Sequence, residues 1–540
     1  MLNYVWLALL FLGIGAAVTT DIINQNENRF RNNEPIPVEI QFNSIPDQFS
    51  SKSVRGEVKI STGEFNSFYK DSIKSALTFP AEITFNSKNK KSSIYFNIDK
   101  SSPKILQEIA SASGEKDDIT GTIILGKTVE ETKITAQMKL EEVKFLKLKD
   151  VTNSALDYAG IAVNIALGLI GIMALWLGVM KVAEKAGLIK IISNFLKPIT
   201  KRLFPQIPGD HPAMGSMIMN ISANMLGLGN AATPFGLKAM EELEELNPEK
   251  GTATNAMCTF LAINTAGITL IPATAIAIRA AAGSTDPAVI IGTSLFASIS
   301  ATIAGVTAAK FFEKFPIKKG EFSDWLKSNT KLFLIAASIL IIAALLIFSG
   351  LGKTIGPIVN PTAVKDVIQV FSTLAIPLLI VVFLGFGFFK KVKVYEQFIE
   401  GAKEGFNIAV KIIPYLVAML VAIGIFRAGG AMEFLMKILK PFTDLIGMPV
   451  EALPMALMRP LSGSGSLGIM AEIISVHGPD SFIGIMVSTF YGSTETTFYV
   501  LALYFGAVNI KRTRHALPAG LVADIVGILA AVFIVRLLFS

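Results

Sequence analysis

Apolar and polar positions alternate along the chain with two different periods. Residues 1–20 are almost continuously apolar, and runs of similar character lie near 158–180, 253–279, 287–311, 331–351, 367–389, 408–427, 481–506 and 517–538. Crossing about 30 Å of hydrocarbon takes roughly 20 apolar residues in a helix, so each run predicts a membrane span. The first lacks the basic start and small-residue cleavage site of a secretion signal, so it is expected to be retained. Two further apolar stretches, near 213–236 and 451–475, are interrupted by Gly, Pro, Ser and Asn. These predict re-entrant hairpins, because irregular backbone at membrane depth must be lined by protein or a cavity. Between the first two spans the period changes to two. VEIQF (38–42), VRGEVKI (54–60), AEITF (81–85), SSIYFNI (92–98), DITGTIIL (118–125) and the run 132–148 alternate apolar with polar residues and are separated by turn residues. They predict a small β-sandwich or sheet.

The expected architecture is an all-α polytopic membrane protein with two inverted repeats containing re-entrant hairpins, plus an inserted extracytoplasmic β domain. Its parts are a first span (1–25), the β-rich insert (26–150), a first repeat (151–320), connecting spans (321–394) and a second repeat (395–540). Charge supports this division. Residues 26–150 carry 37 charged side chains in 125 positions, whereas the other 415 positions carry 54. A surface so poor in charge cannot face water, which excludes a soluble enzyme, a fibrous protein and a disordered chain. The net charge of +7 does not indicate nucleic acid, because the basic residues cluster at the ends of apolar runs. The clusters are Lys181–Arg202, Lys310–Lys319, Lys390–Lys393 and Lys511–Arg514. All fall on one side when the N-terminus is cytoplasmic and residues 26–150 lie outside. Cys258 is the sole cysteine, so an intrachain disulfide and a cysteine zinc site are both excluded.

The chain also resembles itself. Residues 164–200 align without gaps on 407–443, with Asn164-Ile165-Ala166 on Asn407-Ile408-Ala409 and Leu196-Lys197-Pro198 on Leu439-Lys440-Pro441. An odd number of spans separates the two copies, so they are expected upside down relative to each other. That pattern, with helices interrupted at matching places, points to a secondary transporter with its solute near the midplane.

Four polar groups inside these repeats are candidates for solute contact. The first hairpin holds Asn220, Asn224, Gly227, Gly229, Asn230 and Thr233. Glycine lets the backbone unwind, and amides can grip a polar ligand; interhelical packing by small residues with Asn as glue is the competing explanation. The second hairpin holds Arg459, Ser462, Gly463, Ser464 and Ser466. Successive N–H groups before a helix favour an anion, and Arg459 adds charge. The following spans carry Asn264 and Thr265 in the first copy, and Thr494, Glu495 and Thr496 in the second. An acid inside a span costs roughly 2.5–3.5 kcal/mol or more, so Glu495 is expected to couple a sodium ion or a proton, unless an arginine partner makes it structural. Asp524 is a weaker second case. His211, His477 and His515 are dispersed, and no catalytic constellation or cofactor motif is present, so neither an enzyme nor a cofactor is expected.

The longest motifs carry a resemblance. ALWLGVMKVAEKAGL, LFPQIPGDHPAMG, NMLGLGNAATPFGLKAM and TFLAINTAGITLIPATAIAIR, within 158–310, resemble the spore maturation A family. KEGFNIAVKIIPYLVAMLVAIGIFRAGGAM, LMRPLSGSGSLGIM and STFYGSTETTFYVLALYFGAV, within 367–540, resemble the spore maturation B family. Both belong to the nucleoside recognition (Gate) family, which is similar to parts of concentrative nucleoside transporters and ferrous-iron transporters. The resemblance implies a two-lobed membrane protein that binds or moves a small polar solute, nucleoside-like or a cell-envelope precursor. Here the two are fused, and residues 26–150 interrupt the first. That insert leaves a second function open: a non-transporting scaffold for envelope or spore-type maturation, acting through the 26–150 domain. The expected partners are the lipid bilayer, the solute, a coupling ion, and an envelope protein or a second copy of the chain.

Overall fold

A computed structural model describes residues 2–42, 53–85, 92–113, 117–130, 132–227, 229–313 and 361–539. The expected span at 331–351 lies outside them, as do Lys314, Lys318 and Lys319. The described chain is mostly helical and divides into two compact units, one of residues 7–156 with 424–434 and one of residues 1–6, 157–423 and 435–540.

In the first unit, α1 (Leu2–Asn26) precedes six antiparallel strands: β1 (Ile36–Phe42), β2 (Ser53–Ile60), β3 (Leu77–Thr84), β4 (Ser92–Asn97), β5 (Asp118–Glu130) and β6 (Lys133–Leu140). Each strand pairs with the next, and β6 pairs back on β1, with Val38 opposite Ala136. The sheet is thus a closed barrel rather than a sandwich or open sheet. Closure removes both edges, whose unpaired backbone groups would otherwise invite other strands. The period-two pattern points Ile40, Val58, Ile83, Ile94, Phe96, Ile123 and Met138 inward, all buried. Phe79 and Phe96 pack at 5.2 Å between ring centroids. Two helices that alternation does not announce lie between strands: α2 (Thr62–Tyr69), capped by the Ser61 hydroxyl accepting from Glu64 N–H at 3.2 Å, and α3 (Lys104–Ser113). The next helix, α4 (Leu146–Lys185), begins inside the predicted end of the insert. Its free N–H groups at Lys147 and Leu148 donate to buried Asp21 of α1 at 2.9 and 3.0 Å, which supplies the cap an N-terminus needs.

The second unit repeats one order of elements. Most of α4 is followed by α5 (Leu188–Leu203), α6 (Pro212–Met225), α7 (Gly229–Glu245), α8 (Asn255–Ala266), α9 (Ala273–Ala281) and α10 (Ile290–Phe312). After α11 (Pro361–Phe389) come α12 (Val394–Ala428), α13 (Ala431–Leu445), α14 (Leu453–Met458), α15 (Gly463–His477), α16 (Phe482–Ser493), α17 (Thr497–Ala507) and α18 (Ala516–Phe539). Local geometry repeats with the order. Gly187, after α4, and Gly430, after α12, both take positive φ, +89° and +86°, a region glycine enters without steric cost. Pro198 and Pro441 sit inside the following helices.

Five described helices are long and apolar enough to cross a membrane: Trp6–Asn26, Leu146–Lys185, Pro287–Phe312, Val394–Ala428 and Ala516–Phe539. The runs at 253–279 and 481–506 are not the continuous spans their hydropathy predicts. The first breaks at 267–272 into α8 and α9, where Gly267 caps one half and Pro272 starts the next. The second breaks at Thr494–Thr496, which are extended, into α16 and α17. Both predicted hairpins are helix–turn–helix pairs, α6–α7 and α14–α15.

Phe96→Ala would leave a void at the centre of the barrel and cost about 3–5 kcal/mol. Hydrogen exchange of the full-length protein should show lost protection in peptides covering β3, β4 and β5. Unchanged protection would contradict the closed, aromatic-filled barrel.

Candidate functional site

The two broken helices run antiparallel and touch at three levels. At one end, Lys511 and Arg512 N–H donate to Gly251 O at 2.9 and 3.0 Å, and Ala253 N–H donates to Arg512 O at 3.0 Å. Midway, Glu495 N–H donates to Thr265 O at 2.7 Å. At the other end, Arg279 of α9 reaches the loop before α16, where it donates to Pro479 O and to Asp480 Oδ1, the latter at 2.9 Å. The last helices, α10 and α18, pack along each other and against both α8 and α16.

Breaking a helix frees N–H and C=O groups that hydrocarbon cannot satisfy. Each hairpin tip supplies partners to the break in its own copy. Leu270 N–H donates to Met225 O at 2.8 Å in the first, and Phe498 N–H donates to Pro460 O at 3.1 Å in the second. Gly227, at the first tip, has φ +76°, and a Cβ there would stand 2.7 Å from Ile271 O. Gly229 begins α7, Thr233 is half-buried in it, and the side chain of Asn230 lies outside the described ones.

The polar side chains of the first copy form two small groups. Asn224 donates to Asn264 Oδ1 at 3.0 Å, and Asn264 donates to Phe260 O at 3.0 Å. They line a cavity of about 20 Å³ together with Gly267 and Thr302. Asn220 is fully buried; its amide donates to Ala232 O at 2.9 Å and to the Tyr504 hydroxyl at 3.3 Å, while its Oδ1 has no partner among the described residues. Thr265 is buried, its hydroxyl donating to Ala262 O at 3.0 Å.

The second copy concentrates charge at its break. Arg459 is buried, donates to Thr494 O, lies 3.8 Å from Glu495 Oε2 and stacks 4.5 Å from the Tyr491 ring centroid. The Glu495 side chain remains 52% exposed, so this pair is open on one side. The serines are less available than the sequence suggests. Ser462 caps α15 by accepting from Gly465 N–H at 3.0 Å, Ser464 lies 3.4 Å from Ser462, and Ser466 donates to Ser462 O at 2.6 Å. A Cβ on Gly463 would come within 3.1 Å of Thr496 Oγ1, so the N-terminus of α15 sits against the break. Thr494 and Thr496 are buried, and the Thr494 hydroxyl faces Asp524 of α18. The structure therefore joins Arg459, Thr494, Glu495, Thr496 and Thr265 in one place, with the Asn224–Asn264 pair nearby through Gly267, whose Cβ position lies 3.5 Å from Glu495 Cγ.

Three features carried little or no weight in the sequence. Asp524 is buried in α18 and accepts from the Thr497 hydroxyl at 2.6 Å. Glycines at 520 and 527, one turn to either side of an acid, were the available signal. Arg279, fully buried, also donates to Pro287 O, Asp286 O and the Ser284 hydroxyl. Asp480 in turn accepts from Ser284 Oγ at 2.5 Å and from Thr285 N–H and Oγ1 at 2.7 and 2.8 Å. Lastly, a cavity of about 360 Å³ opens at the other end of the broken helices, lined by Asn247, Glu249, Asn255 and Arg514.

The family model described as nucleoside recognition (Gate) matches twice, at residues 166–282 and 409–511. Spore maturation protein B of Bacillus subtilis (strain 168) is 52% identical over 175 residues, 32% of this chain and 98% of that protein. Spore maturation protein A of the same organism is 45% identical over 173 residues, 32% of this chain and 88% of that protein. Inner membrane protein YjiG of Escherichia coli (strain K12) is 32% identical over 81 residues, 15% of this chain and 53% of that protein. None of these names denotes an enzyme. No solved structure matches the chain.

The Arg279–Asp480 contact has an acid limit. Partial burial opposes ionisation of Asp480, but its bonds from Ser284 and Thr285, with Arg279, outweigh this and hold the carboxyl below the usual range. A lowered folded-state pKa adds stability above the ordinary carboxylate value of about 3.9 and loses it as pH falls through the folded value. Asp480→Asn should therefore lower the melting temperature at pH 7, by about 1–3 kcal/mol of stability, since it leaves a buried guanidinium underpaired. The gap between parent and variant should narrow below about pH 4. A gap independent of pH would contradict the contact.

Proposed function

From the premise that the chain belongs to the nucleoside recognition (Gate) family, homologous to spore maturation proteins A and B, we propose that it is a multi-pass bacterial inner-membrane protein that binds and moves a small polar solute. The observation that carries this reading is the meeting of two unwound segments in the middle of antiparallel broken helices, Glu495 N–H on Thr265 O. Unwound backbone costs several kcal/mol per unsatisfied group in hydrocarbon, and is kept where it lines a binding site.

In this reading the two copies are inverted repeats. The shared element order, the two family-model matches and the antiparallel course of the broken helices all support it. The basic clusters favour a cytoplasmic N-terminus and an extracytoplasmic barrel. The solute is nucleoside-like or an envelope precursor. Arg459 and the N-terminus of α15 favour an anionic or carbonyl-bearing group, Glu495 a donor, and the Asn224–Asn264 amides an edge with both donors and acceptors. A cavity of about 20 Å³ holds no more than a water, so the solute enters only when the crossing opens. The cavity of about 360 Å³ beside Asn247 and Arg514 falls within the size of small-molecule sites and serves as the vestibule.

Thermal-shift screening of the purified protein against nucleosides and cell-wall precursors tests the reading. A stabilising compound should lose about tenfold to hundredfold in affinity in Arg459→Ala, the equivalent of one charged hydrogen bond. Glu495→Gln should stay monodisperse and also bind more weakly. Full affinity in both variants would place the solute elsewhere.

The barrel motivates the second reading, a scaffold for envelope or spore-type maturation, because it is a closed module with its own core. Replacing residues 27–145 with a short linker should leave a monodisperse protein that retains solute binding. If the truncated protein binds solute yet cells lose the phenotype, the scaffold reading gains. If it no longer binds while remaining folded, the barrel belongs to the solute site.

A further inference from the structure

Asp524 is a deeply buried acid in the second unit. It lies within α18, an otherwise apolar helix, with 1% of its surface exposed. The Thr497 hydroxyl donates to its Oδ2 at 2.6 Å, while Oδ1 has no partner among the described residues. A dry carboxylate with half its lone pairs empty is costly unless a cation meets it. Thr494 presents a second buried oxygen, Oγ1, which faces the same carboxylate and has no other hydrogen-bond partner among the described residues.

Two glycines press these groups together. A Cβ on Gly527 would stand 2.7 Å from Thr494 Cγ2, and one on Gly520 would stand 2.8 Å from Thr497 Cγ2. The break therefore lies directly on the face of α18 that carries Asp524. Ala266, Ala301 and Ala523, all fully buried, cluster together, and the same glycines also face Thr265 Oγ1 and Ser493 Oγ, at 3.4 Å from the Gly520 Cβ position and 3.8 Å from that of Gly527.

Charge balance singles out this acid. The guanidinium of Arg459 is already engaged by Thr494 O, Glu495 and the Tyr491 ring. Neither α8 nor the part of α10 before Lys310 carries a charged residue. Arg459 thus makes its ion pair with Glu495 and acts on Asp524 only from farther away, with no ion pair to Asp524 among the described residues.

The geometry points to a binding site for a monovalent metal cation, sodium, formed by Asp524 Oδ1 and the hydroxyls of Thr494 and Thr497. One carboxylate with neutral oxygens suits a singly charged, hard ion. Calcium sites draw on several carboxylates, and magnesium usually keeps several waters and demands octahedral geometry. Among the described residues no cluster of three or more His, Cys, Asp or Glu exists that would favour a divalent or transition metal. The inference rests on the solute-carrier reading above and gives it a coupling ion, at Asp524 rather than at Glu495.

The test uses the purified full-length protein without solute, melted in sodium, potassium or choline chloride at equal ionic strength. Sodium should raise the melting temperature of the parent in a saturable way. The shift should persist in Glu495→Gln, vanish in Asp524→Asn and need about tenfold more sodium in Thr494→Val. Thr494→Val, being isosteric, keeps the question open to refutation even if Asp524→Asn fails to fold. Equal melting in the three salts overturns the proposal, as does a sodium shift that survives in Asp524→Asn or is unchanged in Thr494→Val. A sodium-insensitive but pH-dependent melting lost in Asp524→Asn also overturns it, in favour of a proton. Solute binding measured in choline chloride stands or falls separately, so failure here is distinguishable from failure of the solute reading.

Discussion

The fold depends on one obligation: in hydrocarbon, every backbone N–H and C=O must find a partner within the protein. A continuous helix meets it alone. The breaks at 267–272 and 494–496 do not, and each is completed from outside its own helix. The hairpin tips supply Met225 O and Pro460 O, Arg459 supplies a donor to Thr494 O, and the two breaks share the bond from Glu495 to Thr265. The hairpins, the antiparallel course of α8–α9 and α16–α17, and the glycines of α18 follow from this need. None of these elements makes sense without the others.

Much of this order is legible in the sequence because it rests on period and on duplicated residues. Alternation places all six strands, yet it cannot distinguish a barrel from a sandwich. Closure is settled by the pairing of β6 with β1, separated by almost the whole insert. Helices α2 and α3 escape because eight to ten residues between strand runs give no sustained period. Only the Ser61–Glu64 spacing, a capping signature, marks the first. The repeat is legible at Gly187 and Gly430, where the shared residue carries a shared backbone conformation.

The breaks divide on the same ground. Gly267 and Pro272 are recognisable interrupters, whereas Thr494-Glu495-Thr496 contains neither residue and reads as apolar helix with a polar centre. Its extended backbone comes from tertiary partners that no local window contains. Arg459 and Glu495 stand out as charges in apolar surroundings, and the structure brings them together. The serines of 462–466 look available in the sequence but are largely spent on capping α15. Asp524 stands out less, because in the sequence it lies nearer the basic end of its span. Only the packing of α18 against the break buries it.

The two ends of the crossed helices are fastened with different materials. At Gly251–Ala253 the bonds to Lys511 and Arg512 run between main chains, so they survive almost any exchange of side chain that keeps the backbone path. At the opposite end five acceptor groups converge on the single guanidinium of Arg279. Lysine, with three donors on a rotating head, cannot reproduce that planar fork. Sequence drift should consequently be free at one end and arrested at the other. Among descendants of this chain, Arg279 marks the position from which a lineage has least room to depart.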